Sequence, residues 1–321
     1  MIYGELAIIL NLLSLTAFSV LLIVIVVSIF SKIKVFTVKH HSASSRRRIL
    51  WLVALSPWII ALFAATLALL SGSQYAPFPG AFDLFHWHHS QEFLFNSWHG
   101  LSLAFAFVYV SFLVIRNVNR LIQISRQTNL LHILADQDND GFYQLDVDAP
   151  AAFTAGYSHP RCYITSALRN QLDQEEYDIV HLHEKEHARR YDPLKKWLFQ
   201  LLIAIFPFGL FHHLNQSMVL AMEQNADSAV SRLVKDKSRI AETLLKVRRL
   251  TLIPFDTSLE ESAVCHYGQD HIQERISYLL SDEKQKPFPV FQVIVATIVM
   301  STICAFSADA FHHVIEYSFS H

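Results

Sequence analysis

The feature that most constrains this chain is a set of long stretches without a single charge. They run from Leu6 to Phe30, from Ile49 to Leu70, from near Phe93 to Ile115, and from Val290 to Ala308. A helix needs roughly 20 apolar residues to cross the hydrocarbon core of a bilayer. Four such stretches predict four transmembrane helices, with Pro57 tolerated inside the second. The opening MIYGE carries no Lys or Arg, which favours an uncleaved anchor over a signal peptide. Composition agrees, because 52% of residues are hydrophobic and only 17% are charged, the balance of a membrane protein.

The connections set the orientation. Residues 31–50 hold Lys32, Lys34, Lys39, Arg46, Arg47 and Arg48 without an acid, residues 71–97 hold no Lys or Arg, and Arg116, Arg120 and Arg126 follow the third stretch. The positive-inside rule then places the first and third connections in the cytoplasm and the second outside. A shorter apolar stretch, Trp197 to Phe211, is followed by Arg232, Lys235, Lys237, Arg239, Lys246, Arg248 and Arg249. If it crossed, those basic residues would lie outside. The expectation is therefore a re-entrant segment that turns near Pro207 and Gly209 and packs against the spans.

This organisation predicts a mainly α integral membrane protein in three parts. Residues 1–115 form an N-terminal membrane domain of three helices. Residues 116–288 form a cytosolic α+β domain that includes the re-entrant segment 197–211. Residues 289–321 form a last transmembrane helix and a short outward tail. A net charge of -2 offers no basic excess for nucleic acid. Cys162, Cys265 and Cys304 lie too far apart for a thiolate metal site or a disulfide framework.

Within the cytosolic domain, 142–147, 152–157 and 161–165 read as short strands rich in aromatic and β-branched residues. A helix follows, with Asp173 as N-cap, Glu176 three residues on, and Arg189 and Arg190 near its end. That helix contains HLHEKEHARRYDP, His181 to Pro193. His183 and His187 are four apart, so both imidazoles leave one face and can hold one metal ion. Glu184 beside them can take a proton from water on that metal, the HExxH arrangement of zinc peptidases. Zinc polarises a carbonyl and lowers the pKa of water toward neutrality. The plainer reading is a solvated helix face with incidental histidines.

A catalytic zinc needs a third protein ligand. MVLAMEQNADSAVSRL offers Glu223, with Asp227 one turn on to accept the N–H of a ligand histidine. Alone, the two would pass for surface acids. Together with HExxH, and with Ala221 and Ala226 permitting close approach, the ligand reading prevails. One side chain must also stabilise the oxyanion, and His266, Tyr267 and Arg275 in CHYGQDHIQERI are the candidates. DQDNDG, Asp136 to Gly141, copies half a calcium loop, but Val147 stands where a bidentate Glu belongs, so a turn is expected there. His86, His88 and His89 in the outward loop read as residues of the membrane interface.

HEKEHARRYDP has the form HExxHxxRxD, and AMEQNADSAV has the form ExxxDxxV with Ala before the Asp. With AFTAGYSHPRCYITSALRNQL upstream, this set resembles the BlaR/MecR family, bacterial β-lactam sensor-transducers with a gluzincin domain after three membrane helices. The resemblance covers about residues 150–280. It implies one zinc per chain at His183, His187 and Glu223, Glu184 as general base, and Asp227 in support. It also implies an edge strand near Phe153, Thr154 and Ala155 that holds an extended protein or peptide substrate, and a place in a bacterial inner membrane with the active site facing the cytosol. Those sensors carry a penicillin-binding domain after the last helix, where only Asp309 to His321 follow here, so no β-lactam sensor is expected in this chain. Regulatory proteolysis is the expected function, and a homo-oligomer stays open. The alternatives are an HtpX-type membrane quality-control peptidase and a non-enzymatic receptor or scaffold with structural zinc. Glu184 argues against the scaffold, since a structural site has no use for a base.

Overall fold

A computed structural model describes residues 1–32, 41–71, 92–137, 142–251, 264–266, 271–281 and 287–301. In chain order the elements are β1 (Ile2–Tyr3), α1 (Glu5–Lys32), α2 (Ala43–Ser71), β2 (Glu92–Phe93), α3 (Trp98–Leu134), β3 (Asp136–Gln137), β4 (Tyr143–Leu145), β5 (Ala152–Ala155) and β6 (Arg161–Thr165). Then come α4 (Ser166–Arg169), α5 (Gln174–Arg190), α6 (Asp192–Ile203), α7 (Phe208–Leu233), α8 (Lys237–Thr251), β7 (Val264–His266) and α9 (Ile272–Leu280). The chain is mostly helical, with a small sheet.

Among the described residues, three helices are long and apolar enough to cross a membrane, over Glu5–Ile29, Ala43–Thr66 and His99–Leu134. The second continues through Pro57 as expected. The fourth expected span is described only as the helix Val290–Ser301, shorter than a span, and the rest of it lies outside the described residues. The third departs from expectation. α3 does not stop at Ile115 but carries Arg116, Arg120 and Arg126 onward to Leu134. Between Leu101 and Leu134 there is no Gly or Pro to end a helix. The boundary expected between 115 and 116 thus falls inside one continuous helix.

The apolar stretch 197–211 breaks where expected. α6 ends at Ile203, and α7 begins at Phe208 with Pro207 as its N-cap, where a missing N–H costs nothing. Phe199, Ile203, Phe206, Leu214, Met218 and Met222 from this pair pack with Ile23, Val24 and Val27 of α1 and Leu50, Val53 and Ala54 of α2.

The larger sheet runs β3-β4-β6-β5-β7, antiparallel except for β4 with β6. β3, the first two residues of DQDNDG, pairs antiparallel with β4, and residues 138–141 of that segment lie outside the described ones. Alternation along β5 divides its side chains. Phe153 and Ala155 join Tyr163, Leu145 and Ile124 of α3 in one cluster. Ala152 joins Cys162, Ile164, Tyr177 and Val180 in another, on the α5 side. The expected edge strand Phe153–Ala155 needs correction, because β5 has β6 on one side and β7 on the other. β7 comes about a hundred residues later in the chain, and local patterning carries no sign of so distant a pairing.

Candidate metal centre

α5 begins with a reciprocal cap. Asp173 Oδ1 accepts from Glu176 N at 2.9 Å, and Glu176 Oε2 accepts from Asp173 N at 2.9 Å. It ends at Tyr191, whose φ of 55° lies in the left-handed region. The chain turns there, and α6 starts at once with Asp192 and Pro193. The turn brings Asp192 back alongside the last histidine of α5.

His183, Glu184 and His187 are all buried on α5, facing Glu223 and Asp227 on α7. His183 Nε2 and His187 Nε2 are 3.1 Å apart. Glu223 reaches them with Oε2 at 3.4 Å from His183 Nε2 and Oε1 at 3.5 Å from His187 Nε2. Behind the rings, His183 Nδ1 lies 3.1 Å from Asp227 Oδ1, and His187 Nδ1 lies 2.8 Å from Asp192 Oδ2. An acid behind each Nδ1 favours the tautomer with its proton there. Both Nε2 atoms and a carboxylate then face one point. Ligand atoms of His183, His187 and Glu223 all lie within 4.8 Å of one another. Two neutral imidazoles and a carboxylate are a donor set that suits a divalent cation, zinc above all.

The electrostatics agree. Burial would lift the Glu223 carboxyl, but Arg275 and His187 outweigh it and hold it down at about 2. Burial opposes ionisation of Asp227 too, and Arg275 and His183 keep it well below the usual carboxylate range. Burial would lower His187, yet Glu223 and Asp192 pull it up to about 9. Such a cage attracts positive charge. Glu184 differs, because burial dominates and pushes its carboxyl up. Thr154 of β5 sits beside it, with Oγ1 2.8 Å from Glu184 Oε2.

The oxyanion candidates fare unequally. Arg275 is 1% exposed, and its guanidinium is turned to the acids: Nε to Asp227 Oδ2 at 2.9 Å, Nη2 to Asp227 Oδ1 at 2.7 Å, and Nη1 to Glu223 Oε2 at 3.0 Å. It braces the two carboxylates instead of facing a substrate. Tyr267 lies outside the described residues, and of His266 only the backbone, in β7, is described. His86, His88 and His89 also lie outside them.

Asp192 went without a role from sequence; it stood in the HExxHxxRxD pattern, and its signal was an acid immediately before Pro193. Thr154 was expected on a substrate-holding edge strand, and nothing local pointed to its contact with Glu184. The first turn of α2 also docks on this centre. Ser44 Oγ donates to Asn225 Oδ1 at 2.7 Å, Arg46 bonds Gln224, and Arg47 Nη1 lies 3.7 Å from Asp192 Oδ1. A membrane helix and the residues next to Glu223 are therefore in direct contact.

No curated protein matches this chain. A family model described as BlaR1 peptidase M56 matches residues 16–279, a stretch that takes in the three long apolar helices and all of His183, Glu184, His187, Asp192, Glu223, Asp227 and Arg275. The chain belongs to that peptidase family, and membership in it points to a membrane metallopeptidase.

Proposed function

We propose that this chain is a zinc endopeptidase of the gluzincin type that cuts a protein substrate at the cytosolic face of a bacterial inner membrane, as a step in regulatory proteolysis. The observation that carries this reading is the convergence of His183, His187 and Glu223 in one buried cluster. These three would hold the ion. Zinc bound there supplies a Lewis acid, which polarises a carbonyl and lowers the pKa of water toward neutrality. Glu184 takes the proton of the attacking water and passes it to the leaving amine. Its raised pKa suits a group that must both accept and release a proton. Asp227 and Asp192 hold the two imidazoles by Nδ1, and Arg275 keeps both α7 carboxylates charged.

Glu184→Gln tests the assignment. The variant should keep its zinc, measured by elemental analysis, and lose peptidase activity by ~10²–10⁴-fold. Zinc lost along with activity would make Glu184 a ligand and sink the role given to it. Sidedness has its own test. A cysteine in place of exposed Ser238 should escape a membrane-impermeant maleimide in intact spheroplasts, while one in place of Ser73 reacts. Labelling at position 238 from outside would reverse the orientation.

A further inference from the structure

The two oxygens of the buried Glu184 carboxylate are treated unequally. Oε2 has the Thr154 hydroxyl at 2.8 Å, while Oε1 is buried and makes no hydrogen bond among the described residues. Thr154 is itself fully buried, at 0% exposure. Its strand is held from both sides, with Thr154 in register with Cys162 of β6 and Cys265 of β7. Phe153 and Ala155 point to the opposite face of the sheet. The strand therefore presents the hydroxyl to α5 from a backbone that has little freedom to shift.

A hydroxyl has one hydrogen to give. Its other neighbours are the Glu184 carbonyl oxygen at 2.9 Å and the Cys162 sulfur at 3.8 Å. The carbonyl lies inside α5, where the helix supplies a donor four residues on. The thiol is a weak acceptor. A carboxylate in its ionised, base form accepts the stronger bond.

We propose that Thr154 is a positioning residue for Glu184: its hydroxyl pins Oε2 and leaves Oε1 as the oxygen that exchanges the proton. This rests on the reading in which Glu184 is the base. A glutamate has three side-chain torsions, and without the pin both oxygens compete for the reactive orientation. Proton transfer needs the base within hydrogen-bond reach in a set geometry. A structural role for Thr154 would instead be one of filling space, which a residue of the same shape could take over.

The test uses the full chain in detergent, loaded with zinc, with fluorescein-labelled casein as substrate. Thr154→Val keeps the shape and removes the hydroxyl, while Thr154→Ser keeps the hydroxyl and removes a methyl. The valine variant should hold its zinc and its KM and lose kcat by ~10–100-fold, a part of what a general base contributes. The serine variant should recover most of that loss. A second readout needs no turnover. The infrared carboxylate stretch assigned to Glu184 by difference from Glu184→Gln should shift in Thr154→Val and return in Thr154→Ser. Wild-type kcat and an unmoved band in Thr154→Val would overturn the proposal, as would a serine variant no better than valine. If wild type and Glu184→Gln cut casein equally, the peptidase reading itself fails. An active wild type, a dead Glu184→Gln and an unimpaired Thr154→Val would fail the pin alone.

Discussion

α3 and α5 invert the usual rule of burial. α3 runs 37 residues, and only 11% of its most apolar stretch is buried among the described residues, against 44% for α2. Phe105 and Phe107 stand 74% and 72% exposed. α5 is half as long and strongly polar, yet it buries two histidines and three glutamates. An apolar surface on a span is at ease in lipid, which is as apolar as leucine. A buried polar group is stable only when every charge beside it has a partner. Hence cost should follow the partners of α5 and not the size of the side chain removed.

The largest effect should come from Arg275→Met. It leaves Asp227 and Glu223 as buried carboxylates without their cation, and breaking a buried pair this way costs ~3–5 kcal/mol. Thermal unfolding of the zinc-free protein measures it, and a melting curve like that of wild type would mean the acids do not need the arginine.

Next should come loss of metal. Glu223→Ala removes a proposed ligand and should weaken zinc binding by more than ~100-fold, beyond the ~10–100-fold usual for a residue behind a ligand. Asp227→Ala and Asp192→Ala should each fall within that smaller range, since each only holds an imidazole by Nδ1. Competition with a zinc-selective dye ranks all three. Equal affinity in Glu223→Ala and wild type would send the third ligand elsewhere.

The smallest effect should be Phe107→Ala on α3. A large aromatic is lost, but from a face that the described residues leave exposed, so stability should change by no more than ~0.5 kcal/mol in a bilayer mimic. A large loss there would show that α3 is covered by protein and would break the contrast with α5.

What could be read without coordinates was whatever is local. The Asp173–Glu176 cap, the i, i+4 pair His183 and His187, strands β4 to β6, and the helix break before Pro207 all follow from neighbours within a few residues. Local patterning misled where nothing marks a stop, so α3 ran past Ile115. It could name acids as candidates but could not separate their tasks. Arg275 looked as good an oxyanion donor as its neighbours until burial against Asp227 and Glu223 gave it other partners.

By itself, then, the amino-acid order determined the apolar stretches, the HExxH pair on one helix face and the membrane-protein class, because periodicity and charge act over one or two turns. Tertiary structure alone decided which acid backs which histidine, that β7 closes the edge of β5, that Thr154 meets Glu184, and that the first turn of α2 touches the centre. Apart from His187 and Asp192, five positions apart across the turn at Tyr191, those contacts join residues dozens to more than a hundred positions apart. They form only when packing of the apolar faces brings α2, α5, α7, α9 and the sheet together, and no spacing along the chain encodes their distance.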